Sequence, residues 1–212
     1  SVEHALMMIF YILLDIRDKK ISSCSALQQY VYSDILQKLQ QTLHDISSDP
    51  LESFEERNEL FLDLTENYRK EGLYTHDLKA AVSLAENHTV SYDSAHVLAQ
   101  LAAFHADMES FEHLFRNYLI SELFSELLLP DSDEKDMIIM AEWIAMEYAA
   151  ILHLLFLQAQ MHKKMSDFSL IRDTIVIVSR MMGYEQEDIM EYMESCFQSP
   201  LWDWGYLALL VI

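Results

Sequence analysis

Apolar residues recur along this chain at intervals of three and four, the repeat of a helix that buries one side. No alternating stretch long enough for a strand interrupts them. The pattern predicts a first helix over roughly 2–19. A second runs from Ser23–Ser25 to about Ile46, with Leu27, Tyr30, Val31, Ile35, Leu39 and Leu43 on one stripe. "SSDP" then breaks the chain, with Pro50 placed as a first-turn proline, and a third helix follows over about 51–70. Thr75 is the expected cap of a short helix reaching about Glu86. Ser91 or Asp93 starts a long helical region to Leu129, with an interruption near Met108–Ser110. "PDSDEKD" opens the most apolar helix, about 134–163, which closes on the basic "HKK". Helices over about 167–182 and 186–198 follow, and the tail "PLWDWGYLALLVI" is expected to dock on the core. The fold class read from this is all-α, about eight helices in a compact orthogonal or up-down array. Residues 1–212 read as one domain, with a weak internal boundary near 46–52.

One helix departs from the simple pattern. In "FEHLFRNYLISELFSELLLP" the apolar residues Phe111, Leu114, Phe115, Tyr118 and Leu119 share one side. Ile120, Leu123, Phe124, Leu127 and Leu128 then take the opposite side, as though the helix were wedged between two packing layers. His113, Arg116 and Asn117 stack above that second apolar set. They are expected at the edge of a buried region, as a polar cluster at a pocket or interface, or as ties to a neighbouring loop.

Composition narrows the chemistry. With 3 Gly in 212 residues, the chain has neither G-x-G-x-x-G nor G-x-x-x-x-G-K-[ST], which excludes a Rossmann nucleotide site and a P-loop. Gly72, Gly183 and Gly205 stand where helices stop or restart, where left-handed caps are expected. A net charge of −21, from 14 Lys+Arg against 35 Asp+Glu, repels phosphate backbones and anionic membrane surfaces. Nucleic-acid and membrane partners are therefore not expected, and a basic partner is permitted. Cys24 and Cys196 are the only cysteines, which suits a reducing, cytoplasmic setting. The apolar run Met137–Met161 holds Glu142, Glu147 and His153, so a buried core helix is expected rather than a span.

Other polar groupings carry less. His105, Glu109 and His113 follow at i, i+4 and i+8, but the outer pair is about 12 Å apart along the axis. No single ion takes both, and no metal is expected. Glu142, Ala145, Met146, Ala149, His153 and Gln160 share a stripe of the 134–163 helix. Glu142 and His153 are a secondary candidate pocket; a tight helix crossing with internal hydrogen bonds is the plainer reading.

The stretch at 111–130, followed by a long apolar helix and then "VSRMM", resembles the C-terminal helical region of the flagellin lysine-N-methylase family. The positions that carry the likeness are Phe111, Glu112, Leu114, Phe115, Asn117, Tyr118, Phe124 and Pro130, and later Ser179 and Arg180. "RNELFLDLTENYRK" at 57–70 is similar in flavour, so the likeness spans about 51–195. The resemblance implies a bacterial enzyme that methylates exposed lysines of flagellin or a related protein, with S-adenosylmethionine as methyl donor. It also implies an N-terminal C-x-x-x-C-x-x-C cluster holding an iron–sulfur centre, which this sequence lacks, and a histidine after "S-R", replaced here by "MMGY". The expectation is therefore the C-terminal part of a longer protein, not catalytic by itself. Its partner would be a flagellin-like substrate or its own N-terminal domain, met through Arg116, Asn117, Tyr118 and His113, with Arg180 in addition. A helical interaction or chaperone-like module without chemistry is the alternative. The ligand-binding half of a transcription regulator is a third, without a basic helix-turn-helix segment to support it.

Overall fold

The computed structural model describes residues 2–19, 25, 28, 30, 34–46, 49–70, 76–129, 132–162, 167–196 and 204–211. Among them all regular structure is helical and no strand occurs. The chain is all-α, as its periodicity predicts. Backbone contacts divide it into two compact units, each assembled from separated segments.

Unit 1 comprises Ser1–Ser48, Arg116–Ala145 and Glu185–Ile212. It opens with α1 (Val2–Lys19), whose buried Leu6, Met7, Phe10 and Leu13 follow the helical repeat. Helix α1 packs on α2 (Asp34–Asp45) and on the C-terminal α10 (Trp204–Val211). Tyr30 donates a hydrogen bond to Asp15 of α1. The Trp204 indole N–H donates to the Met7 carbonyl at 3.2 Å, and its ring meets Tyr11 edge-on at 5.8 Å between centroids. The tail thus docks as expected and is itself helical, an element beyond the eight the periodicity predicts. Helix α9 (Gln186–Cys196) brings Tyr192 edge-on to Trp143 and Glu194 to Lys135.

Unit 2 comprises Asp49–Phe115 and Met146–Tyr184. Here α3 (Pro50–Lys70) packs against α4 (His76–Val90) and α5 (Ser94–Met108), and α8 (Phe168–Met181) lies further along the chain. A 3-10 turn, Glu109–Phe111, separates α5 from α6 (Glu112–Glu122) and accounts for the interruption read near Met108–Ser110. Aspartates start the helices. The Asp93 carboxylate accepts from the amides of Ala95 and His96 at 3.0 and 3.2 Å, and Asp167 accepts from Leu170 at 3.0 Å. Asp49 accepts from Leu51 ahead of Pro50, and Asp133 accepts from Lys135 and Asp136. Each satisfies amides that the first turn leaves without helical partners.

Helix α7 (Glu134–His162) gives its first part to unit 1 and the remainder to unit 2. Every residue from Ile138 to Leu157 is buried, including Glu142, Glu147 and His153. By length and composition this helix could cross a membrane, yet its apolar window is wholly covered by the rest of the protein. Each large apolar side chain in it contributes about 1.5–3 kcal/mol by leaving water.

The two described glycines do not behave as left-handed caps. Gly205 lies within α10, and Gly183 follows α8 without a positive φ. What Gly183 provides is room, since a Cβ there would sit 2.9 Å from the Ser179 carbonyl oxygen. Gly72, the Thr75 cap, Pro130 and the start of the second predicted helix lie outside the described residues.

Candidate functional site

Helix α6 continues into a π-helical turn, Leu123–Leu127, closed by a 3.1 Å bond from the Leu128 amide to the Leu123 carbonyl. A turn of roughly 4.4 residues, one wider than the α-helix, resets the side-chain register. Leu119, Leu123 and Leu127 then fall on one line; Leu119 and Leu127 are buried and Leu123 half-buried. Ile120, Phe124 and Leu128 fall on another line and are exposed, at 46%, 71% and 52%. The second apolar set is therefore split, and among the described residues Ile120, Phe124 and Leu128 are left exposed. His113, Arg116 and Asn117 are exposed on the same side of α6, so they head a surface row rather than border a buried region. Tyr118 lies on the other side and is buried; within unit 2 the buried Phe115 ring meets Tyr148 edge-on at 5.9 Å. Arg180 is exposed near the end of α8. The structure thus places Arg116 and Asn117 with three apolar residues in unit 1, leaves His113 one turn earlier in unit 2, and sets Tyr118 apart.

The other sequence candidates, Glu142 and His153, are both buried but belong to different units. His153 sits in a polar cluster of unit 2 that the sequence reading did not assemble. Its Nε2 lies 2.9 Å from Asn58 Oδ1, while Asn58 Nδ2 donates to the Ala85 carbonyl at 3.0 Å. That second bond fixes the amide, so Oδ1 accepts and His153 carries its proton on Nε2. The rings of Phe54, Phe61 and Phe156 surround the imidazole at 5.7, 5.5 and 6.4 Å. Burial, the Arg57 guanidinium and His88 together push its pKa down to about 3. Nearby, His88 Nε2 meets Gln160 Oε1 at 3.0 Å, and Gln160 donates to Gln100 at 2.7 Å. The cluster is a set of satisfied hydrogen bonds around a neutral imidazole, suited to fixing helix register and not to moving protons at neutral pH. The signal for it is present in α3, where Phe54, Arg57, Asn58 and Phe61 stand at i, i+3, i+4 and i+7. That spacing places Arg57 and Asn58 on the buried stripe, and both are buried.

A family model described as the FliB lysine N-methylase C-terminal domain matches residues 1–210. The chain belongs to this family. The match to the FliB C-terminal domain extends beyond 51–195, where the residue likeness lies, and takes in both units. No curated protein and no solved structure matches the chain.

Proposed function

We propose that the α6 row is a docking face through which this FliB C-terminal domain serves protein lysine N-methylation. It would either bind the lysine-bearing substrate, a flagellin-like protein, or join the methylase's own N-terminal domain. One observation supports this reading above the others. Ile120, Phe124 and Leu128 stand in line and exposed, headed by Arg116 and Asn117. Aligned apolar side chains with a polar head make up the core and rim of protein interfaces. Isolated exposed apolar residues are ordinary, whereas exposed apolar residues gathered in one patch are a mark of interaction sites.

The chemistry of the reaction would come from S-adenosylmethionine, which supplies the methyl group when bound. An iron–sulfur centre takes four thiolates, and this chain has two cysteines, at 24 and 196. The residues present do not fit that group, and no step here runs through it. What the domain's own residues do is bind and orient.

The test is methyl transfer to protein lysines from labelled S-adenosylmethionine, with the intact protein and its Asn117→Ala and Phe124→Ser variants. Both variants should lower kcat/KM by about tenfold, the scale of one interface anchor, without altering helicity. An unchanged rate would remove the row from the site. The exposed α6 row also suits a second reading, an interaction module without chemistry. That reading needs neither S-adenosylmethionine binding nor methyl transfer in the intact protein.

A further inference from the structure

Between α3 and α4, within unit 2, lies an open groove of about 200 Å³ lined by Leu62, Thr65, Glu66, Arg69, Val82 and Glu86. Its inner wall is apolar. Val82 is buried, Leu62 half-buried, and the buried Thr65 hydroxyl donates to the Phe61 carbonyl at 2.8 Å, so its polar atom is used within α3. Its rim is charged. Glu66 is bridged by Arg69 at 2.7 Å, one helical turn on, while the Glu86 carboxylate makes no ion pair among the described residues. A slot with an aliphatic wall and a carboxylate at its mouth complements a straight alkyl chain ending in a cation. An anion would meet Glu66 and Glu86, and a wholly apolar ligand would bury them beside it without compensation.

We propose that this groove binds the side chain of a lysine presented by a protein segment. The methylene stem would lie along Leu62 and Val82 and the ammonium would meet Glu86. Glu66 would be shared between the incoming ammonium and Arg69. The Glu66–Arg69 bridge is exposed, so it is weak enough to be rearranged. The rest of α3 draws cations to the same helix. Burial first, and then Glu59, Glu52 and Glu55, push the Glu56 carboxyl of that helix above its usual range. The choice of a lysine as carrier of the ammonium rests on the methylase reading above. The binding test needs no methyl transfer, so its failure would leave the α6 docking face untouched, and the reverse also holds.

The probe is a short, end-blocked peptide with one lysine among glycines and serines, titrated into the isotopically labelled chain and followed by amide resonances. The amides of Leu62, Glu66, Val82 and Glu86 should shift with the lysine peptide and stay in place with its norleucine counterpart. Glu86→Gln should weaken the lysine peptide by about threefold or more, within the range of one exposed ion pair. Arg69→Ala should tighten it by roughly twofold by freeing Glu66. Thermal unfolding of the two variants, both surface changes, checks that they remain folded. Amides that stay unmoved, equal shifts with norleucine, or equal affinity in Glu86→Gln would overturn the proposal. Spermidine acting on the same amides at lower concentration would also overturn it, in favour of a free polyamine. An arginine peptide that binds as well as lysine would overturn the ammonium assignment.

Discussion

Asn58 and His153 stand 95 positions apart in sequence and 2.9 Å apart in space, each with 3% of its surface exposed. Asn58 is the hinge of this arrangement, because its amide bridges three helices. It is carried by α3, donates to the Ala85 carbonyl of α4 and accepts from His153 of α7. Such a residue fixes how helices register, which an apolar side chain of similar volume leaves freer to slide.

Asn58→Ala should therefore cost more than the volume it removes. It leaves a buried imidazole N–H without its acceptor, at about 1–3 kcal/mol, and takes a second bond from the Ala85 carbonyl, which keeps its place in the ladder of α4. The expected loss is about 3 kcal/mol, read from urea unfolding. A loss under about 1 kcal/mol would show that other groups take over both bonds.

His153 also sets a pH dependence. Its folded pKa of about 3 lies below the ordinary value of 6.5. Between those values the unfolded chain binds a proton that the folded chain refuses. Stability from this group is complete above pH 6.5 and falls as pH drops toward 3, by at most about 1.4 kcal/mol per pH unit. His153→Gln has no such proton. Between about pH 7.5 and 5 the wild type should lose about 2 kcal/mol more than the variant. Parallel stability curves would contradict the assignment.

The π turn predicts opposite outcomes for two residues three positions apart. Leu127 is 3% exposed and Phe124 71% exposed. Leu127→Ala should destabilise by about 2–5 kcal/mol. Phe124→Ser should change stability by no more than about 0.5 kcal/mol. Chemical denaturation of both variants makes the comparison. If Phe124→Ser destabilises as Leu127→Ala does, the row is core and not a docking face.

Gly183→Ala should lower stability even though alanine is the better helix former. The added methyl would come within 2.9 Å of the Ser179 carbonyl, a backbone atom near the end of α8. Moving that carbonyl loosens the turn closed by the 2.9 Å bond from the Met182 amide to the Val178 carbonyl. The net effect should be about 1 kcal/mol, after the alanine's gain in the unfolded chain. Calorimetry should show a drop of about 2–4 °C.

The helices themselves were readable because each announces its ends in residues next to it. Asp93 ahead of α5, Asp167 ahead of α8 and Pro50 opening α3 are local signals, and they fall at the observed boundaries. The buried character of α7 was readable from its length of apolar sequence. Phe124 was not. A 3.6-residue wheel joins it with Ile120, Leu123 and Leu127 as one apolar set, and only the π turn, which has no signature in such a repeat, takes Leu127 to the buried line and leaves Phe124 outside. The Asn58–His153 pair was half legible. Asn58 lies on the buried stripe of α3 and His153 on the apolar α7, but nothing in the sequence says that those stripes meet. Glu142 and His153 share a stripe on paper and separate units in the fold, since α7 is enclosed on every side and a helical wheel cannot say by what.

The Met7–Trp204 hydrogen bond gives the protein a schedule. Its two ends are 197 positions apart, so at about 5–20 residues per second the ribosome delivers Trp204 roughly ten to forty seconds after Met7. Unit 2 has all its segments once Tyr184 is made. Helix α1 meets α2 early, but the side that receives α10 stays uncovered until α10 emerges. Leu6, Met7 and Phe10 are fully buried in the folded structure, and for that interval they lack part of their cover. Nascent chains halted before Trp204 should therefore engage holding chaperones through α1, and release should coincide with the synthesis of α10.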